Sequence, residues 1–431
     1  MKRIAALLMA VCLLAGCSGS AGQGLAQLPS APAAPAAETL RVSCDAPDPS
    51  ALRTALTRYG EEQDVTIEWV EDAASADLAL LTSLPEGDGW LDLAAQPSLS
   101  AAVSRAGADT AGPVTALPLG RSLYAYWVNT DLLSALLGDT ALADLQNASW
   151  NEWRNFVLSV TGWMVGPTTI PLTLNGNTYA MPAERTDATA NLDGVFAIPG
   201  AEPVSAWAGP LYTSALLAAG GNYNTDALTG PVSGVYTALT LELQNTAGST
   251  DRTFADAVNA MAGGEALFCR GTLADLTAVL GVDGVQALSP VPVKCYFVNS
   301  DLSTQEYNLT GLMDYPALAC AGYLAIPAGS ANTAGAASAI LWLYSSAEGS
   351  HVLTDELLLL TPWNTASDAT AQGAQQIRII STGILPEVAL TDAQNASLAR
   401  AGADLTGTDP ASFTAWTRRV FLDAALPALT G

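Results

Sequence analysis

The chain has 431 residues, half of them apolar, enough for a large buried core and more than one typical domain. Its formal charge is -25, with 41 acidic residues against 16 lysines and arginines. Such a surface repels phosphate backbones and anionic headgroups, which excludes nucleic acid as a partner.

Lys2 and Arg3 precede an apolar run, residues 4–14, that is too short to span a bilayer as a mature helix. This pattern reads as a removed export signal. The run closes with Leu14-Ala15-Gly16-Cys17, which resembles the bacterial lipoprotein signal. The resemblance implies cleavage after residue 16 and a lipid of the palmitate kind on Cys17. A plain secretory signal with an incidental Cys17 is the other reading. Residues 17–38 are rich in Ser, Gly, Gln, Ala and Pro and read as a flexible tether. A lipid-anchored chain on the extracytoplasmic face of the cell membrane is the expected location.

The body starts with a strand, Leu40–Cys44, then an amphipathic helix to about Gln63 with Leu52, Ala55, Leu56 and Tyr59 on one face. Strands follow at 65–70 and 77–81, and the polar loop 82–89 leads to Trp90. Strands alternating with helices predict mostly parallel sheets covered on both faces, with ligands at the carboxyl ends of the strands. The stretch 115–137 opens with Pro118-Leu119-Gly120. It continues as a strand with Ser122, Tyr124, Tyr126 and Val128 on one face and Leu123, Ala125 and Trp127 on the other. Apolar residues on both faces mean either a core strand or a crossing between two bodies, and we read it as a crossing. Ser149-Trp150-Asn151-Glu152 is a capping box that starts a helix with Trp153, Phe156, Val157 and Val160 inward.

Residues 164–200 read as short strands and turns, including an Asn-Gly turn. Helices are expected over 207–219, over 231–244 and from Thr253 to Gly263, followed by a strand at 266–269. Residues 285–297 and 317–326 are strand-like, 333–346 is a helix, and the C-terminal region is helical. Of the six cysteines, Cys44, Cys269, Cys295 and Cys320 belong to the body, with no CxxC and no Cys/His metal spacing. Cys269–Cys295 and Cys295–Cys320 are disulfide candidates; buried thiols are the alternative.

Several segments, in order, resemble the extracellular solute-binding proteins of bacterial ABC importers, in particular the sugar-binding family 1 type. Leu117–Tyr124 with Trp127-Val128-Asn129-Thr130-Asp131-Leu132-Leu133 resembles that family's hinge strand, with Trp127-Val128 in place of its usual tyrosine pair. Ser149–Trp153 resembles its helix start, Phe254–Arg270 its helix-and-strand, Tyr323–Ser330 its return strand with Ala328 in place of lysine, and Ser345–Gly349 the helix end after it. The family often has Gly-x-Trp after the 266–269 strand; Arg270-Gly271-Thr272 lacks that tryptophan, and 174–200 matches no motif. The resemblance covers about residues 39–370.

It implies an α/β, two-lobed periplasmic-binding-protein-like fold of type II, each lobe a mostly parallel sheet flanked by helices. Lobe 1 is then 39–128 plus 320–358, and lobe 2 is 129–319 plus 359–431. The chain would cross between lobes at 115–137 and again at 317–326. The implied partners are a small solute, the permease of an ABC importer and the membrane through the anchor, with the protein acting as a monomer.

Reversible capture of a sugar needs aromatic faces and groups that fix hydroxyls. Asp45 follows the first strand, where the family places a ligand contact; a helix N-terminal acid is its ordinary role. Trp90 is placed at the cleft edge, against packing on lobe 1. Arg121, Ser122 and Tyr124 are placed at the hinge, where Arg121 could equally form a salt bridge and Tyr124 core. Trp207 opens a helix that borders the cleft in the family, Arg270 follows a strand that leads into it, and Trp363 falls where the family often supplies a stacking aromatic. Ten tryptophans and few basic residues favour a neutral carbohydrate over an anion.

Enzyme readings have little support. His351 is the only histidine, and the chain has no G-x-S-x-G, HExxH, Walker A or post-strand GxGxxG motif, so no catalytic residue and no cofactor is assigned. A surface lipoprotein of the same fold with a sensing or adhesion role is the alternative, and a secreted hydrolase a distant one.

Overall fold

The computed structural model describes residues 39–45, 50–82, 84–85, 87–106, 108, 110–201, 237–248, 251–298, 304–308 and 318–361. The signal, the tether, Cys17, Trp207, Trp363 and the C-terminal region lie outside the described residues.

The first elements are β1 (Thr39–Cys44), α1 (Ser50–Gln63), β2 (Thr66–Val70), β3 (Leu78–Leu81), α2 (Ser100–Ala106) and β4 (Ala116–Pro118). β5 (Arg121–Asn129), α3 (Thr130–Leu137), α4 (Ala141–Asn147) and α5 (Trp150–Val165) follow, then β6 (Pro171–Leu174), β7 (Asn177–Ala180) and β8 (Gly194–Ala197). Residues 237–244 are helical. α6 (Phe254–Ala262), β9 (Ala266–Thr272), α7 (Leu273–Gly284), β10 (Leu288–Val291), β11 (Lys294–Val298) and β12 (Thr304–Asn308) come next. β13 (Leu318–Cys320), β14 (Tyr323–Ala325), α8 (Thr333–Ser345), α9 (Ala347–His351) and a π-helical turn (Val352–Glu356) complete the described chain.

Local chemistry sets many of these boundaries. Ser149 caps α5 through the full capping box with Glu152. The Asn175-Gly176 turn, with φ of 48° and 79°, closes the β6–β7 hairpin. On α8 the buried set is wider than the expected stripe of Ala337, Ile340, Leu341 and Tyr344, because Ala336, Ala339, Trp342 and Leu343 are buried too.

Two sheets organise the body. The first has the order β2-β1-β3-β14-β4, and the second has β10-β5-β9-β8 with β13 also on β5. Both are flanked by helices and both are mixed. Parallel pairing links β1 with β2 and β3, and β8 with β9. β14 runs antiparallel to β3 and β4, and β5 antiparallel to β9, β10 and β13. The antiparallel members are the strands next to the crossings, where the chain enters each sheet from the end at which the parallel strands finish.

The chain changes sheet twice at one place, and a third passage, at residues 358–360, bridges to β5 beside them. β4 ends in the first sheet at Pro118 and β5 begins in the second at Arg121. The lobe boundary expected at 128 therefore moves back to Leu119-Gly120. The apolar residues on both faces of β5 reflect a strand covered on both sides within one sheet. Tyr124, Tyr126 and Val128 join one core cluster, and Leu123, Ala125 and Trp127 join another on the opposite face. The return crossing lies at Ala321-Gly322, between β13 and β14, and it is bonded to the first: Ala321 N donates to Gly120 O and Leu119 N to Gly322 O. At the third, Leu360 and Arg121 exchange both backbone bonds. Leu359 packs into the first lobe's core while Leu358, at φ 51°, packs into the second's.

The first lobe's core gathers Leu40, Val42, Leu56, Tyr59, Leu80, Leu324 and Ile340. The larger of the second lobe's two core clusters is aromatic: the Tyr126 and Trp153 rings stack at 5.2 Å, with Phe156, Phe196 and Phe268 around them. No helix among the described residues is long and apolar enough to cross a membrane.

Candidate cleft at the lobe crossings

Strand direction places the candidate site. In the first sheet the carboxyl ends of β3 and β4, Leu81 and Pro118, both pair with Tyr323, the residue after the crossing glycine Gly322. β1 ends beside them, with Cys44 opposite Leu80. In the second sheet the carboxyl end of β9, Thr272, pairs with Tyr124, three residues into β5, and β8 runs parallel to β9. The parallel strands of both lobes thus finish towards the same three crossings. Ligands of open α/β sheets sit at such carboxyl ends.

On the first lobe this edge carries Asp45, exposed, which accepts a bond from Thr82 Oγ1 at 3.3 Å. Arg121, half-buried, stands at the crossing itself. On the second lobe β9 passes directly into α7. Thr272 is the N-cap residue, and its Oγ1 lies 2.5 Å from Asp275 Oδ2. Ser122 Oγ, fully buried, accepts from Ala274 N at 2.9 Å and ties β5 to the same first turn. Asp275 is exposed to solvent, yet the protein packed around it raises its pKa, against the Thr272 bonds that lower it.

The other expected residues fall away from the solvent side of this edge. Trp90 pairs through its backbone with Pro327, at the end of β14 away from the hinge glycine, and its half-buried ring packs with Ala116, Tyr323 and Ala325. In this structure Trp90 packs on a face of the first sheet. Tyr124 is 2% exposed and Arg270 4%. Arg270 pairs with Glu242 at 2.8 Å and donates to Tyr124 Oη. The strand position that suggested a cleft-lining Arg270 did not reveal Glu242, which comes from another element. The structure therefore brings Asp45, Arg121 and Ser122 to the crossings and puts Tyr124 and Arg270 in the layer beneath. Thr272 and Asp275 escaped the sequence reading; the Thr-x-x-Asp pattern straight after a strand was the available signal.

Cys44 and Cys269 are thiols in this structure. The Cys269–Cys295 pairing is therefore not made. Cys269 is buried, and that burial pushes its pKa up to about 12. No group of His, Cys, Asp and Glu among the described residues is arranged to hold a metal ion.

No known protein-family profile and no curated protein sequence matches the chain. Solved structures do. A chitin oligosaccharide binding protein superposes with a TM-score of 0.59 at 12% identity, over 90% of this chain and 99% of that one. A sugar transporter protein from Bacillus licheniformis in complex with stachyose gives 0.57 at 12%, over 90% and 99%. A Streptococcus pneumoniae solute-binding protein in complex with the blood group A-trisaccharide gives 0.55 at 11%, over 90% and 100%. The chain thus has the two-lobed α/β fold of bacterial sugar-binding solute receptors along nearly the whole of each neighbour.

Proposed function

We propose that this protein captures a small carbohydrate between its lobes and delivers it to an ABC importer, without chemical turnover. One observation carries the reading: the parallel strands of both sheets end towards the same triple crossing, with polar groups from each lobe at that edge. Asp45, Arg121 and Asp275 are the groups we assign to the ligand's hydroxyls, with Thr82 and Thr272 orienting the two carboxylates. Trp207 and Trp363 remain our candidates for stacking on the sugar's C–H face. Closure of the lobes about the crossings follows if the ligand binds the closed form more tightly. The fold likeness to sugar receptors supports the ligand class.

The test is a thermal-shift screen of the mature chain against neutral oligosaccharides, polyols and organic anions. The unfolding midpoint is expected to rise with one class of neutral carbohydrate, by linkage of binding to the folded state. A flat response to every carbohydrate would overturn the reading. We also propose that Cys17 carries the lipid anchor. On that basis Cys17→Ala expressed with its leader in a bacterium should move the protein from the membrane fraction to the medium, and an unchanged membrane fraction would contradict it.

A further inference from the structure

A pair of opposite charges lies inside the second lobe, beneath the cleft. Glu242 is 1% exposed and Arg270 4%. Arg270 Nε donates to Glu242 Oε1 and its Nη2 to Oε2, both at 2.8 Å, a two-pronged fork. Its Nη1 donates to Tyr124 Oη, and Tyr126 Oη donates to Glu242 Oε1 at 2.5 Å. Burial opposes the charge on Arg270, but Glu242 and the two tyrosines outweigh it and raise its pKa. Desolvating two charges is costly, and a buried ion pair does not by itself stabilise a fold relative to well-packed apolar residues. Stability alone therefore gives this pair no reason to be charged.

Its position supplies one. Arg270 lies two residues before Thr272, and Tyr124 two residues after Ser122. A two-residue step keeps the same face of a strand. Thr272 caps α7 and holds Asp275, and Ser122 accepts from Ala274 N in the same turn. Glu242 comes from a third element, the helical residues 237–244. The fork and the tyrosines thus fix that helix, β9 and β5 in one register, immediately behind the turn that presents Asp275. We infer that Glu242 and Arg270 are positioning residues for the cleft, setting where the Thr272–Asp275 turn stands against the hinge strand. The inference rests on the reading that this cleft binds a saccharide.

Two variants of the full mature chain test it. Glu242→Gln keeps the shape but turns an amide N–H towards the guanidinium. The double variant Glu242→Leu with Arg270→Met removes both charges and fills the space. Binding is measured by calorimetry with a chitin oligosaccharide, stachyose and the blood group A-trisaccharide, and hydrogen exchange is followed at the amides of residues 274–276. For whichever sugar binds the wild type, affinity should fall about tenfold or more in both variants. Exchange at 274–276 should quicken in both variants. Wild-type affinity and exchange in Glu242→Gln would overturn the inference and leave the binding reading standing. So would a double variant that binds as the wild type does, since that makes the pair merely structural. If the wild type binds none of the three sugars, the saccharide reading of the cleft falls for these probes, and the exchange rates alone decide whether the pair positions the turn.

Discussion

Asp77 shows how one carboxylate can join three distant segments. It is 2% exposed and accepts from Arg41 N, Nε and Nη2, from Ser330 Oγ, and from the backbone N–H groups of Ala331 and Asn332. Burial alone would raise its pKa, but the bonds from Arg41 and Asn332 outweigh that and lower it to about 2 from 3.8. A depressed carboxylate contributes stability that is fully present above its unfolded pKa and is lost as pH falls through the folded value. The window is therefore about pH 4 down to about pH 2, and the contribution is about 2 kcal/mol. Urea unfolding of Asp77→Asn beside the wild type should show a large stability gap at pH 7 that narrows at pH 2.5; a gap independent of pH would contradict the account. In the sequence Asp77 was legible only as the start of a strand, because its partners lie 36 and about 250 residues away. The same limit hid Glu242 behind Arg270. Single charged residues announce their type and local element, and the partner that decides their role is a tertiary fact.

At the scale of elements, patterns that close within a few residues were legible. The Ser149–Glu152 capping box, the Asn-Gly hairpin turn and the Thr253 cap of α6 all form where their residue types require. The alternation of β5 correctly separated its two faces. What it could not reveal was which strands lie on either side, since β9 and β13 join it from far along the chain. The crossing consequently sits at Gly120 rather than at the far end of the strand. A Cβ on Gly120 would come 2.9 Å from Leu359 Cβ, where the first and third crossings lie side by side. Gly120→Ala should therefore destabilise by about 1–3 kcal/mol, the usual cost of overpacking, read as a lower urea midpoint. Unchanged stability would mean that the crossings are looser than their backbone bonds indicate. The third crossing has its own constraint. Leu358 holds a left-handed backbone conformation that a bulky side chain rarely adopts, and in doing so sends its side chain into the second lobe while Leu359 stays with the first.

For the whole molecule, the order of elements was more informative than any one of them. Helix-and-strand alternation, the Gly-bearing hinge, the return strand at 323–330 and the helix after it together carried the two-lobed fold, and solved sugar receptors share it along nearly their full length. Strand direction was not legible in the same way. Alternation predicts parallel sheets, but the strands at the crossings belong to neither β-α-β run and enter antiparallel. The candidate cleft follows from that arrangement, because it turns the carboxyl ends of both sheets towards the shared crossings. Its position is the central claim. The most direct measurement is a crystal structure of the mature chain grown with the carbohydrate that raises its unfolding midpoint most. The account predicts ligand density between the lobes, with hydroxyls bonded to Asp45, Arg121 and Asp275. Density on an outer face of either lobe, with those three side chains untouched, would contradict it.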